Sequence, residues 1–175
     1  RDHTVQPQRK YRLKENMYEN VPSIIRFGGS DEPLFKQLNL QFENPKPTGL
    51  AMELLSYVSI NKSDLILDFF AGSGTTAHAV MRLNRQDGGR RQSMIVTNNE
   101  VSVDEAAALR QRGLRPGDPE WEALGIFEHI TRPRVEAAVT GKTQNGEPIK
   151  GDYKFTDEFP MAKGFEENVE FLELT

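Results

Sequence analysis

The chain has 175 residues, of which 37% are hydrophobic, and it carries a formal net charge of −4 at pH 7. This size predicts a single domain that can bury a core. The sequence contains no cysteine, which excludes disulfides, thiolate metal sites and a cysteine nucleophile. It also lacks a signal-peptide pattern and any apolar run near the roughly 18 residues of a membrane span, so we expect a cytoplasmic protein.

The first predicted helix follows a stretch rich in proline. Pro45 and Pro47 stiffen the chain ahead of Thr48, which we predict to be the helix N-cap. The apolar residues of the next turns share one helical face: Leu50, Ala51, Leu54, Leu55 and Val58. Lys46 and Thr48 would then stand at a fixed helix entrance. They either contact a ligand there or belong to a plain loop that leads into a core helix.

The next apolar run, at residues 65–67, predicts a strand covered on both faces by helices. The strand ends at Asp68, whose charge can meet an ammonium or hydroxyl group of a ligand. Gly72 and Gly74 follow in a loop of small residues. Glycine permits backbone angles and a close approach that a Cβ would forbid, so this loop is suited to contact a bound molecule.

A helix is predicted directly after this loop, over about residues 76–84, with Thr75 or Thr76 as its cap. His78 lies on this helix, and we interpret it as a packing or surface residue. An acid, two glycines and a helix N-terminus thus meet at one spot. Such a spot suits a small, partly anionic nucleotide-like ligand.

Three nucleotide-binding patterns compete for the glycine loop. The P-loop is excluded, because the only Gly-Lys-Thr, at residues 141–143, lacks the required earlier glycine. Residues 72–77 satisfy the dinucleotide pattern, although a carboxylate ahead of the first glycine is not part of it. The third pattern, acid-x-Phe-x-Gly-x-Gly, closes the first strand of S-adenosylmethionine sites, and Asp68 and Phe70 begin it here. A purely structural turn is the remaining interpretation.

The second strand is predicted over residues 93–97 and leads to Glu100. A carboxylate at the tip of this strand can accept hydrogen bonds from both ribose hydroxyls of an adenosine. The polar stretch at residues 85–92 is predicted to be a surface loop ahead of the strand. The alternative for Glu100 is a solvated residue at a strand end.

The remaining predicted elements form a scaffold. They include a helix from the capping box of Ser102 and Glu105 to Gly113 and a helix capped by Asp118 with Pro119 at its first position. Next come a helix from Thr131 and Pro133 to Gly141, a two-residue hairpin turn at Asn145 and Gly146, and a strand over residues 169–174.

Charged residues and histidines point to no second site. The basic clusters are residues 9–12, Arg82 with Arg85, and Arg90 with Arg91. We interpret each cluster as solvated surface, and a net charge of −4 is unfavourable for phosphate contacts, so this chain by itself does not predict DNA binding. His3, His78 and His129 have no metal-ligand spacing, and we predict no metal site.

Four stretches together resemble the amino-methylating DNA methyltransferases. They are residues 68–80, which contain the glycine loop, and residues 42–50, 125–134 and 164–171. The chain is most similar to the modification subunits of type III restriction-modification systems, which methylate adenine N6. The resemblance extends from about Asn20 to the end of the chain.

This resemblance implies an α/β, Rossmann-like S-adenosylmethionine-dependent methyltransferase fold, present in part, with a mainly parallel sheet flanked by helices. Residues 42–175 would be the S-adenosylmethionine-binding portion, and residues 1–41 an extension from the target-recognition side. The implied cofactor-binding residues are Lys46, Thr48, Asp68, Phe69, Phe70, Ala71, Gly72, Ser73, Gly74, Thr75, Thr76 and Glu100. The implied partners are double-stranded DNA through the full-length protein, a second copy in a homodimer, and a restriction subunit.

The catalytic motif of the resembling family, Asp/Asn-Pro-Pro-aromatic, is absent. Residues 44–47 lack the second adjacent proline, and residues 118–121 carry Glu120 in its place. In the family that motif precedes the cofactor loop, and this chain begins at Arg1 without a methionine, so we expect a cofactor-binding fragment without catalytic residues that is inactive alone. The alternatives are a non-catalytic assembly module or degenerate methyltransferase half and, less favoured, a fragment of an NAD-binding oxidoreductase.

Overall fold

The computed structural model describes residues 23–59, 61–154 and 158–173. Its elements are, in chain order, α1 (Glu32–Gln37), α2 (Thr48–Val58), β1 (Leu65–Asp68), α3 (Thr75–Asp87), β2 (Gln92–Ile95), α4 (Val103–Gln111), α5 (Pro119–Glu122), a π-helical turn (Phe127–Thr131) that runs into α6 (Arg132–Thr140), β3 (Asp152–Lys154), β4 (Glu158–Pro160) and a 3-10 turn (Met161–Lys163). His3, the basic cluster at residues 9–12 and Leu174 lie outside the described residues.

The strands β1 and β2 pair in parallel, from Leu65 opposite Gln92 to Asp68 opposite Ile95. Because parallel strands need a crossover connection, α3 links the carboxyl end of β1 to the start of β2. Both predicted strands and the helix between them are confirmed. A second, antiparallel pair is formed by β3 and β4.

The two faces of the parallel sheet are covered differently. On one face Ile95 packs against the buried side chains of α3 and α6. On the other face Leu65, Leu67 and Met94 are 60%, 48% and 55% exposed. The prediction that β1 is covered on both faces is therefore wrong, because α2, the helix before it, packs mainly on α3.

The helix α6 lies at the centre of the packing. Its Ala137 belongs to a core cluster with Leu34, Phe35, Leu38, Leu40, Ile130 and Ile149. Its Val135 and Ala138 belong to a second cluster with Ala77 and Met81. Gly141 ends the helix in the left-handed conformation with φ of 70°, which confirms the predicted end. Helix α6 thus contributes side chains to two core clusters, one shared with α1 and the other with α3.

The polar residues around α4 and α5 cap these helices only in part as predicted. Ser102 accepts from the backbone N–H of Glu105 at 3.3 Å and donates to its carboxylate at 2.7 Å, which confirms a cap there. Pro119 occupies the first turn of α5, also as predicted. Asp118 precedes it but does not cap it, because its carboxylate accepts from the N–H of Arg115 at 2.7 Å instead.

Arg91, predicted to be solvated, is buried. Its guanidinium donates to both carboxylate oxygens of Asp87 at 3.0 and 2.9 Å and to the hydroxyl of Ser59 at 2.8 Å. The hydrogen bond from Arg91 is the main reason that the pKa of Asp87 lies below its usual value. The interpretation of this residue as solvated surface is wrong, since it ties the end of α3 to the start of β2.

The predicted strand at residues 169–174 is wrong for residues 169–173, which form no ladder. Phe171 instead packs on the ring of Phe127, with centroids 6.0 Å apart, and lies beneath the guanidinium of Arg132 at 4.9 Å. An alternating pattern gives a strand only where another strand pairs with it. A hairpin forms at Asn145 and Gly146 as predicted, since Lys142 and Pro148 pair in antiparallel fashion. Its loop has three residues, 144–146, and not the predicted two, because the N–H of Thr143 donates to the carbonyl of Glu147 at 2.8 Å.

Candidate functional site

A cleft of about 650 Å³ lies between the start of α2 and the loop that follows β1. One wall runs from Phe42 to Leu54, and the other runs from Asp68 to Thr76. Small-molecule sites in proteins span about 300–1,000 Å³, so the volume suits a ligand of that size. The cleft opens at the carboxyl end of β1, where parallel α/β sheets usually bind their ligands.

Asp68 shapes the loop that forms one wall of the cleft. One carboxylate oxygen accepts from the N–H of Phe70 at 2.9 Å, and the other accepts from the hydroxyl of Thr76 at 2.5 Å. The carboxylate therefore joins the end of β1 to the first turn of α3. Because each carboxylate oxygen has two lone pairs, these bonds leave acceptor sites for a ligand.

The two glycines of the loop serve different needs. Gly72 has φ of 50°, and a Cβ there would meet nothing closer than 3.8 Å. Gly74 has φ of 76°, and a Cβ there would lie 3.2 Å from the Val135 side chain and 3.4 Å from that of Thr131. Both glycines permit the left-handed conformation as predicted, but the close approach at Gly74 is to α6.

Neither threonine caps α3, so that prediction is wrong. Gly74 occupies the N-cap position, and no side chain caps the first turn. The hydroxyl of Thr76 is bound to Asp68, and that of Thr75 accepts from Arg134 at 2.8 Å. Both hydroxyls therefore stabilise the loop by hydrogen bonds instead of capping the helix.

Thr48 was predicted to be the N-cap of α2, and this is also wrong. Pro47 holds that position, and Thr48 is the first helical residue. The N–H of Thr48 lies 3.1 Å from both carboxylate oxygens of Asp31, and its hydroxyl donates to the same carboxylate. Asp31 therefore caps α2 from a distant part of the chain.

Arg134 of α6 connects the two walls from behind the cleft. Its Nη1 donates to the hydroxyls of Ser73 and Thr75 at 2.9 and 2.8 Å. Its Nη2 donates to the hydroxyl of Thr48 at 2.8 Å and to the carboxylate of Asp31. Burial lowers the pKa of the Arg134 guanidinium, and the charge of Asp31 opposes that effect.

Sequence analysis missed both Arg134 and Asp31. One signal was available for the arginine, because it shares a helical face with Ile130 and Ala137, and both of these are buried. Asp31 offered no such signal, since it lies 103 residues away from Arg134 along the chain.

Most of the predicted site residues meet at the cleft. Those that line it are Lys46, Asp68, Phe70, Ala71, Gly72, Ser73, Thr75 and Thr76. Thr48, Phe69, Gly74 and Glu100 do not line it. Glu100 is exposed and accepts a hydrogen bond from Asn98 at 3.0 Å, so its role in ribose binding stays a prediction.

His78 is buried, which confirms it as a packing residue. Its Nε2 lies 2.8 Å from the hydroxyl of Tyr153, and its ring stands edge-on to Tyr153 and Phe165. Burial, with a smaller contribution from Arg134, lowers the pKa of His78 well below its ordinary value. The imidazole is therefore neutral at pH 7.

The described residues contain no group of three or more His, Cys, Asp or Glu side chains that could hold a metal ion. No described helix is both long enough and apolar enough to cross a membrane.

An acid and a glycine loop at the carboxyl end of a parallel strand are features of α/β proteins that bind ligands at that edge of the sheet. The chain belongs to the DNA methylase family, which matches residues 4–168. The family predicted from the sequence motifs is thereby confirmed.

Three relatives define the similarity more closely. The StyLTI Mod subunit, a type III restriction-modification enzyme subunit of Salmonella typhimurium LT2, is 54% identical over 140 residues, which are 80% of this chain and 19% of that protein. The EcoPI Mod subunit of Escherichia phage P1 is 48% identical over 95 residues, or 54% of this chain and 13% of that protein. The type II methyltransferase M.KpnI of Klebsiella pneumoniae is 48% identical over 59 residues, or 33% of this chain and 14% of that protein. The chain thus spans no more than 19% of the length of these relatives.

Proposed function

We propose that this chain is the cofactor-binding part of a DNA methyltransferase of a restriction-modification system. The substrate would be an exocyclic base amine, adenine N6, and the methyl donor S-adenosylmethionine. The observation that carries the proposal is the cleft, which brings Asp68, the glycine loop and Lys46 together at the end of β1. Membership of the DNA methylase family supports the same conclusion.

The residues of the cleft fit the two ends of such a cofactor. Asp68 keeps acceptor sites for the ammonium of a methionine moiety. Phe70 stands at the mouth of the cleft with 92% of its surface exposed, and its ring offers a face for packing on the ligand. Glu100 follows β2 and would accept the ribose hydroxyls from there.

When bound, S-adenosylmethionine supplies an activated methyl group for transfer to the base. The residues of this chain would bind and orient that donor, and positioning would be their main contribution to the rate. The loop is suited to this role because Asp68, Thr76 and the backbone of Phe70 already hold one another in place.

We further propose that the rest of a larger methyltransferase completes the site. The chain spans only 13–19% of its relatives, and it lacks the Asp/Asn-Pro-Pro-aromatic motif. The exposed face of β1, with Leu65 and Leu67, supports coverage by further elements of a Rossmann-like sheet. Residues 42–175 would then be the cofactor portion and residues 1–41 its extension toward target recognition.

The partners of the whole protein follow from the same proposal. The DNA methylase family and the names of the type III Mod relatives support DNA and a restriction subunit as partners, and we propose that the DNA is double-stranded. A homodimer remains a prediction from the family resemblance, and a cytoplasmic location remains a prediction from the sequence.

Calorimetric titration tests the proposal in the protein expressed from its complete reading frame. We expect S-adenosylmethionine to bind, Asp68→Ala and Glu100→Ala to weaken it, and NAD not to compete. A folded protein that binds NAD but not S-adenosylmethionine would support the oxidoreductase alternative. A folded protein that binds neither would support an assembly module.

A further inference from the structure

The two terminal nitrogens of the Arg134 guanidinium donate hydrogen bonds to opposite walls of the cleft. Its Nη1 serves Ser73 and Thr75 in the glycine loop, and its Nη2 serves Thr48 at the start of α2. The two walls exchange one further, long contact, from the hydroxyl of Thr75 to the carbonyl of Lys46 at 3.4 Å. The guanidinium is thus the main polar link between them.

A buried arginine is costly unless its charge and its donors are satisfied. Arg134 has no exposed surface, and Asp31 is the acid that balances its charge. Its Nε is buried without a hydrogen-bond partner among the described residues. Apolar side chains in place of both Arg134 and Asp31 could fill the same space without this cost, so packing alone does not explain the pair.

We propose that Arg134 is a positioning residue that holds residues 73–75 and the Thr48 entrance of α2 at a fixed separation. This inference rests on the proposed function, because the separation sets the width of the cofactor cleft. Arg134 does not line the cleft and acts only through its walls. The planar guanidinium spans both walls, whereas a lysine ammonium is a compact point charge that cannot.

The test compares Arg134→Lys with Arg91→Lys in the protein expressed from its complete reading frame. Arg91 is the matched control, because it is also buried and paired with an acid, Asp87, but lines no part of the cleft. The readouts are the Kd for S-adenosylmethionine, the Tm, and amide hydrogen exchange at Lys46, at Thr48 and at residues 71–76.

Arg134→Lys should weaken S-adenosylmethionine binding about tenfold, because the cofactor must then order two walls that the guanidinium no longer holds together. Amide hydrogen exchange in Arg134→Lys should become faster at both walls of the cleft. Arg91→Lys should lower the Tm yet leave the Kd within about twofold, because distant sites act independently. Unchanged binding and exchange in a folded Arg134→Lys protein would overturn the positioning role.

Thr48→Val keeps the test decisive if Arg134→Lys does not fold. Valine has nearly the shape of threonine but offers no acceptor to Nη2, so we expect weaker cofactor binding. Unchanged affinity of the Thr48→Val protein for S-adenosylmethionine would overturn the positioning role of Arg134 but not the proposed function. Failure of the folded wild-type protein to bind S-adenosylmethionine would overturn the proposed function, and the inference with it.

Discussion

The interior behind the cleft and the exposed face of the parallel sheet are built in opposite ways. Behind the cleft, Arg134 and Thr48 are fully buried and their side chains are joined by hydrogen bonds. On the open sheet face, Leu65 and Met94 are large apolar side chains left in solvent. The contrast is between a polar interior that is fully packed and an apolar face that, under the proposed function, further elements of a larger methyltransferase would cover.

The largest expected effect is on stability and comes from Arg134→Met. The change leaves the carboxylate of Asp31 partly buried without its cation, and breaking such a pair costs about 3–5 kcal/mol in unfolding free energy. Glu128→Gln is the control, because the ion pair of Glu128 with Arg132 is more than a third exposed and is worth less than about 1 kcal/mol. Urea unfolding of both variants measures the difference. Equal losses would mean that the buried network contributes no special stability.

The next prediction compares the two sheet faces directly. Met81 is 6% exposed beneath the covered face, so Met81→Ala should cost about 2–5 kcal/mol through the cavity it leaves. Met94 is 55% exposed, and Met94→Ala should cost less than about 0.5 kcal/mol in this chain. Urea unfolding again provides the measurement. A large loss in Met94→Ala would show that the open face is covered in solution.

An alanine substitution should destabilise the protein more at Gly74 than at Gly72. Gly74→Ala combines a left-handed φ with a Cβ only 3.2 Å from Val135, so we expect a loss of about 2 kcal/mol. Gly72→Ala has the same backbone problem but open space around it, so we expect about 1 kcal/mol. Thermal unfolding of the two variants checks the order. A reversed order would contradict the close packing of the loop on α6.

The smallest expected effect is a pH dependence from His78. Its pKa in the folded protein lies well below 6.5, so the unfolded chain binds more protons as the pH falls below about 6.5. Stability should therefore drop by about 1 kcal/mol between pH 7 and pH 5.5. His78→Gln should lose this component of the pH dependence, while His129→Gln should keep it. Identical profiles for wild type and His78→Gln would contradict the account of the buried imidazole.

Local patterns predicted the parts of the fold that depend on neighbouring residues. The apolar run ending at Asp68, the positive φ at Gly72 and the end of α6 at Gly141 each depend on a few adjacent positions. Nine of the twelve predicted cofactor-binding residues belong to the short motif at residues 68–76, and seven of these nine line the cleft.

The errors came from contacts between distant residues. Thr48 is a residue type that often caps helices, but here Asp31 reaches the same helix end. The carboxylate of Asp31 accepts hydrogen bonds from both the N–H and the hydroxyl of Thr48. Thr75 was likewise expected to cap α3, and Arg134 takes that hydroxyl instead. The strand predicted to include Phe171 failed because alternation alone does not show whether a pairing strand is present.

A crystal structure of the protein from its complete reading frame with S-adenosylhomocysteine bound tests the central claim most directly. We predict that the ligand lies in the cleft between Lys46 and the loop at residues 71–76. Its amino group should lie at Asp68 and its ribose toward Glu100. A ligand bound elsewhere, with the cleft empty, would contradict the assignment of this cleft as the cofactor site.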